Sequence, residues 1–195
     1  MDKPILIDFP ESIETNRLYI KPCQPGDGKM VHEAINSSIK TLSEWMPFAQ
    51  KEQSIEEVEE GVRQSYAQFI ARKDFRLHIF EKESGELVGS TGYHRMDWKA
   101  GSVEIGYWGV FGHGGKGYMT EAVKELTRFA FEHFAANRVE IRCDELNIAS
   151  RRIPERLGYT LEGILRRDSL SADGKNLRNT CVYSVLADEW EYHLH

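Results

Sequence analysis

Apolar and polar side chains alternate through the middle of the chain, broken by short glycine-bearing turns. Phe75-Arg76-Leu77-His78-Ile79-Phe80 alternates, Glu83-Ser84-Gly85-Glu86 turns, and Leu87-Val88-Gly89-Ser90-Thr91-Gly92-Tyr93-His94 returns, the signature of an antiparallel hairpin. Asp97 to Gly101 joins it to a further strand, Val103-Glu104-Ile105-Gly106-Tyr107-Trp108, so the sheet grows as a meander. Before it, Thr15 to Pro22 places Leu18 and Ile20 on one face and closes on proline; residues 1–14 read as an arm. After it, Arg138 to Cys143 forms another strand, and Tyr159 to Arg167 pairs with Leu177 to Leu186 through Ala172-Asp173-Gly174-Lys175.

Helical spacing marks the segments between. Met30, Val31, Ala34 and Ile35 predict a helix near Lys29 to Ser38. Ser54-Ile55-Glu56-Glu57 is a capping box, opening an amphipathic helix whose stripe is Val58, Val62, Tyr66, Phe69 and Ile70. Ala122, Val123, Leu126, Phe129, Ala130 and Phe134 form the stripe of a helix packed on the sheet. As a right-handed crossover, that helix makes the strand at Arg138 parallel to its predecessor. A short helix from Asn147 ends at Leu157-Gly158 with Gly158 as a left-handed stop, and Pro154 inside it predicts a distorted helix or a short first turn. Asp188-Glu189-Trp190 begins a terminal turn. Leu42 to Phe48 reads equally as a packed loop or as the wall of an acceptor pocket. The sum is a mixed α+β fold in a single domain over 1–195, with about six to seven mostly antiparallel strands, one parallel pair and about four helices.

Composition narrows the function. The 195 residues are 41% hydrophobic, enough for one buried core, and a formal charge of −6 argues against nucleic-acid binding, which draws on clustered cations. Cys23, Cys143 and Cys181 are widely spaced, which suggests reduced thiols rather than disulfides or zinc. His193 and His195 lack partners for a metal, and none is expected. With no bilayer-length apolar run and no basic leader, a cytoplasmic location with no membrane partner is expected.

Gly112, Gly114, Gly115 and Gly117 follow the Val103 strand and precede a helix, an arrangement that offers bare N–H groups to a phosphate. Gly112-x-Gly114-x-x-Gly117 satisfies the dinucleotide fingerprint, which leaves an NAD(P)-binding oxidoreductase as an alternative. The meander before it does not suit repeated βαβ units. A P-loop fails, because Gly117 stands where Ser or Thr is needed.

Gly114-Gly115-Lys116-Gly117-Tyr118-Met119-Thr120-Glu121-Ala122, Asn147-Ile148-Ala149-Ser150, Glu155-Arg156-Leu157-Gly158-Tyr159 and Glu162-Gly163 carry a resemblance. With Thr15-x-Arg17-Leu18, Trp45-Met46-Pro47 and Glu104-Ile105-Gly106-Tyr107-Trp108, the chain resembles the GCN5-related N-acetyltransferases (GNAT), and among them the RimJ/RimL-like ribosomal-protein N-terminal acetyltransferases. The resemblance implies a GNAT fold whose parallel pair splays to admit acetyl-CoA. It places pantetheine contacts at Val110 and Phe111, pyrophosphate contacts on the N–H groups of Gly115, Lys116, Gly117, Tyr118, Met119 and Thr120, and a 3′-phosphate contact at Arg152. Gly114 and Met119 depart from the usual loop pattern, but the cradle's donors are main-chain atoms.

The same resemblance implies direct transfer to a primary amine, with Glu104 as base, Asn147 on the pantetheine arm or its carbonyl, and Ser150 as the thiolate's acid in place of a tyrosine, since Pro154 occupies the tyrosine's usual position. Asn147 also suits a helix N-cap, Glu104 a cross-strand ion pair, and Asp168 an alternative contact to the acceptor. An α-amine costs only ~1 kcal/mol to deprotonate at pH 7 against roughly 4.6 for lysine, so a modest base suffices for a protein N-terminus. A small-molecule amine, or a CoA-binding module without catalysis, remain the other readings.

Overall fold

The computed structural model describes residues 3–190, so His193 and His195 lie outside the described residues. Alternation builds one eight-stranded sheet, comprising β1 (Ile13–Glu14), β2 (Leu18–Pro22), β3 (Phe75–Glu81), β4 (Leu87–Asp97), β5 (Ser102–Gly109), β6 (Arg138–Asp144), β7 (Thr160–Leu170) and β8 (Leu177–Leu186). Its order is β1-β2-β3-β4-β5-β6-β8-β7. Every neighbouring pair is antiparallel except β5 and β6. That parallel pairing lasts three positions, from Ser102 opposite Arg138 to Glu104 opposite Glu140, after which the strands part. The oxidoreductase reading falls here, since a dinucleotide fold needs a mostly parallel sheet.

The two faces carry different chemistry. Leu77, Ile79, Tyr93, Val103, Ile105, Val139 and Ile141 form the face covered by α4 (Tyr118–Phe134), whose Ala122, Val123, Leu126 and Ala130 are fully buried against it. The opposite face faces α1 (Gly28–Ser37) and α3 (Ile55–Ile70) over a smaller cluster of Cys23, Val31, Ile35, Val58, Val62 and Leu87. Strand register aligns polar side chains there: His78 with Ser90, Ser90 with Trp108, His94 with Glu104, and Glu104 with Glu140.

Helix ends follow their capping chemistry. The Ser54 hydroxyl accepts from the Glu57 N–H at 3.1 Å while Glu57 accepts from the Ser54 N–H at 2.7 Å, completing the expected capping box. Helix α1 has no side-chain cap of its own; Glu59 of α3 accepts from the N–H groups of Gly26 and Gly28 at 2.8 and 2.9 Å. Short helices α2 (Ile39–Leu42) and α6 (Ala187–Trp190) flank these, α6 at the expected terminal turn. The arm contributes more than expected: Ile13–Glu14 is an eighth strand, and Phe9 packs 5.2 to 5.5 Å from the rings of Phe129, Phe69 and Phe75.

Pro154 corrects an expectation. Helix α5 (Ile148–Arg156) runs through it, with Gly158 at φ 76° as its stop. A proline deprives the carbonyl four residues back of its helical donor, here that of Ser150. The Tyr107 hydroxyl donates to that carbonyl at 3.0 Å, so the gap is filled from β5.

Candidate active site

The splay of β5 from β6 opens a cavity of about 510 Å³ across the sheet. Tyr107, Cys143, Asn147 and Ser150 line it at the splay, and Trp45, Met46, Phe48, Gln53 and Glu57 line it on the α1/α3 side. The segment at Leu42 to Phe48 is therefore both packed and a wall: Phe48 lies 6.0 Å from the Trp108 ring, and the Arg178 guanidinium sits 5.6 Å from Trp45. Phe48, Gln53 and Glu57 also line an adjoining groove that reaches Ala172, Asp173 and Gly174 at the β7–β8 tip.

Beyond β5 the chain enters the glycine turn. Gly112, Gly115 and Gly117 hold φ of 88°, 78° and 81°, values that L side chains adopt only with strain. Among the described residues no N–H from Gly114 to Thr120 donates to another protein group. Unpaired donors at the head of a helix of 17 residues fit a pyrophosphate. The β1–β2 turn braces this loop. Arg17 donates to the Lys116 carbonyl at 3.0 Å and to Glu121 at 2.7 Å, and the Thr15 hydroxyl donates to the same carboxylate at 2.6 Å.

At Val110 and Phe111 the N–H groups already have protein acceptors. Val110 donates to the Val88 carbonyl at 3.0 Å and Phe111 to the Ser38 hydroxyl at 2.8 Å. Because Val110 bonds toward β4, the alternation of an antiparallel ladder turns the backbone groups of Tyr107 and Gly109 toward the open edge. Those are the groups a pantetheine chain can pair with. Tyr118 is buried and its hydroxyl donates to Glu81; Met119 reaches back over Gly89. Arg152 is exposed on α5, whereas Arg156 lines the groove beside Gly117, Thr120 and Lys124.

Of the candidate catalytic residues, Asn147 and Ser150 come together and Glu104 stands apart. Asn147 does cap α5, accepting from the Ser150 N–H at 3.0 Å, and still lines the cavity. The Ser150 hydroxyl donates to the Tyr107 oxygen at 3.3 Å, and burial holds the Tyr107 phenol well above its ordinary range. Glu104 shares the sheet face toward α1 and α3 but not the cavity lining. Its Oε2 lies 3.2 Å from Arg95 Nη1 without the alignment of a hydrogen bond, so that oxygen has a charge partner and no donated proton. Burial raises the Glu104 carboxyl above the usual range, against the opposing pull of Arg95 and Arg142. Asp168 accepts from Arg142 at 2.8 Å, which occupies it and orients Arg142, a cavity-lining cation.

Two lining groups had not been singled out in the sequence. In the sequence Tyr107 appears only as a member of the Val103 strand and of the Glu104-to-Trp108 motif. His94 lines the cavity opposite Glu104, and its Nδ1 lies 2.6 Å from Asp74 Oδ2. Strict alternation from Glu104 through the β4–β5 register was the signal that could have found it. Among the described residues no group of His, Cys, Asp or Glu is placed to hold a metal, and no helix is long and apolar enough to cross a membrane.

The comparisons agree with this geometry. The chain is 32% identical over 178 residues to YdaF of Bacillus subtilis, named as a candidate ribosomal N-acetyltransferase, covering 89% of this chain and 93% of that one. It superimposes on the crystal structure of a protein described as a probable acetyltransferase with TM-score 0.83 at 28% identity, over 90% of this chain and 96% of that one. It shares its fold with RimL, titled a ribosomal L7/L12 alpha-N-protein acetyltransferase in complex with coenzyme A, at TM-score 0.84 and 20% identity over 92% and 99%. Residues 17–160 match the family model described as an acetyltransferase (GNAT) domain. With the splayed parallel pair, the unpaired loop donors and these likenesses together, the chain belongs to the GNAT acetyltransferase family.

Proposed function

We propose that this protein transfers acetyl from acetyl-CoA to the α-amine at the end of a peptide chain. The observation that carries the acceptor class is the adjacency of the cavity to the groove between the 47–53 segment and the β7–β8 tip, which share Phe48, Gln53 and Glu57 as walls. A small amine needs only the cavity; a chain terminus also needs a neighbouring groove for the residues that follow it. The names of YdaF and RimL point the same way.

Bound acetyl-CoA supplies an activated acyl group as a thioester. The backbone donors from Gly115 to Thr120 hold the pyrophosphate, the open edge at Tyr107 and Gly109 pairs the pantetheine arm, and Asn147 flanks it. The acceptor nitrogen forms the new C–N bond as the C–S bond breaks. Starting from an ammonium, it gives up two protons in all, one of which ends on sulfur and the other in solvent. Ser150, at the splay with the Tyr107 hydroxyl behind it, delivers the sulfur's proton. Glu104 provides the negative charge beside the acceptor's proton path.

The test is CoA release from acetyl-CoA with tetrapeptides bearing free α-amines, their Nα-blocked lysine-containing counterparts, and spermidine. Turnover confined to the free α-amines is expected, with kcat lowered ~10²-fold or more in Ser150→Ala and Glu104→Gln at unchanged CoA affinity. Preference for spermidine would overturn the acceptor class, and full activity in both variants would remove their roles.

A further inference from the structure

We propose that His94, oriented by Asp74, is the group that takes the proton from the acceptor amine. This rests on the acetyl-transfer reading above and names its immediate base.

Three observations place it. First, Asp74 Oδ2 lies 2.6 Å from His94 Nδ1, which directs the ring's other nitrogen away from the carboxylate. Second, that other nitrogen is at the cavity: a Cβ on Gly106 would meet His94 Cδ2 at 3.0 Å and Nε2 at 3.2 Å, so the Cδ2–Nε2 edge rests against the β5 backbone where side-chain volume is missing. Both His94 and Gly106 line the cavity that also holds Asn147 and Ser150. Third, among the described residues the hydrogen bond of the ring is the short one at Nδ1, and the part-exposed ring leaves Nε2 open toward the cavity. A base needs such an open lone pair, with the opposite nitrogen held by an orienting group.

The surrounding charges support a transient imidazolium. Asp74 precedes β3, Glu104 stands directly across the strand pair, and Glu57 faces the cavity from α3; Arg76 on β3, Arg95 on β4 and Arg142 on β6 are the opposing cations. Of the six, Asp74 alone holds a hydrogen bond to the ring. In the step itself, Nε2 accepts the amine proton and later releases it to solvent, so no oxidant or further reactant is required. His94 is thus a catalytic residue and Asp74 a positioning residue, while Glu104 acts on the imidazolium through space.

The experiment measures kcat and kcat/KM from pH 5.5 to 9 for wild type, His94→Gln, Asp74→Asn and Glu104→Gln, with a free-α-amine tetrapeptide as probe and CoA affinity measured by calorimetry. In His94→Gln a fall in kcat of ~10²-fold or more and loss of the acidic limb of the profile are expected, at unchanged CoA affinity and melting temperature. Asp74→Asn is expected to move that limb while keeping CoA affinity, a change a merely structural residue would not produce. His94→Gly should regain activity when imidazole is added. A His94→Gln variant with wild-type kcat and an unmoved profile overturns the dyad and leaves the acetyltransferase reading intact. A wild-type protein that binds CoA yet acetylates no amine overturns both.

Discussion

Gly106 decides where the imidazole edge can lie. It sits in the middle of β5, where a glycine weakens the strand, and the missing Cβ is the space into which His94 turns. Gly106→Ala should push the ring aside by a few tenths of an ångström or more. Activity toward the tetrapeptide is expected to fall ~10-fold to ~10²-fold with CoA affinity retained, because small misplacements at a reacting centre are costly. Calorimetry and steady-state kinetics on one preparation check it; equal losses in both would point to general damage of β5. The sequence displays Gly106 and His94 plainly, but their meeting depends on β4–β5 register, and Asp74 joins from 20 residues away. By contrast the Ser54–Glu57 box was legible outright, because every atom it uses lies within four consecutive residues.

At the scale of elements, α5 and β5 are coupled by an absence. The Pro154 ring leaves the Ser150 carbonyl without a helical donor, and Tyr107 supplies one from the strand. Tyr107→Phe leaves that carbonyl unpaired and should cost about 1–3 kcal/mol of stability. In a Pro154→Ala background the alanine amide can take over the carbonyl, so the same tyrosine change should cost less. Urea unfolding of both single variants and the double variant closes this cycle, and strict additivity would sink the coupling. Reading Pro154 as a local breaker was sound chemistry applied to an isolated helix. A partner from β5 compensates it, which no local rule can foresee. The crossover from β5 through α4 to β6 was legible because chain chirality constrains it, whereas the partners of the Val110 and Phe111 N–H groups were not, because strand ends are set by tertiary bonds such as that from Phe111 to Ser38.

For the whole molecule, the sheet face toward α1 and α3 carries a stability cost that depends on pH. His78 is fully buried between β3 and the α1/α3 layer, with neither ring nitrogen hydrogen-bonded among the described residues. The Asp27 carboxylate stands 3.6 Å away, too far to accept a hydrogen bond from the ring, and burial together with Arg76 pushes the imidazole down to about 3. Above the ordinary value near ~6.5 both folded and unfolded chains hold it neutral. Below that, the unfolded chain binds the proton and the folded one does not, so stability falls as pH falls, toward the folded value near 3. A loss of ~2 kcal/mol by pH 5 is expected from this group alone. His78→Gln should flatten that part of a urea-midpoint profile between pH 7.5 and 4.5; an unchanged slope would assign the acid sensitivity elsewhere.

The brevity of the β5–β6 pairing has a mechanical side. Three register positions and the packing of α4 tie strands β1 to β5 to the remaining three. A ligand chain lying along the open edge at Tyr107 and Gly109 would serve as a missing strand, splicing the two halves of the sheet. Amide exchange at those two positions should then slow on addition of CoA, while exchange at Ser102 to Glu104 stays as it was. The protein would be stiffest when loaded and would loosen as its thiol product departs, so release of CoA and relaxation of the sheet would be one event.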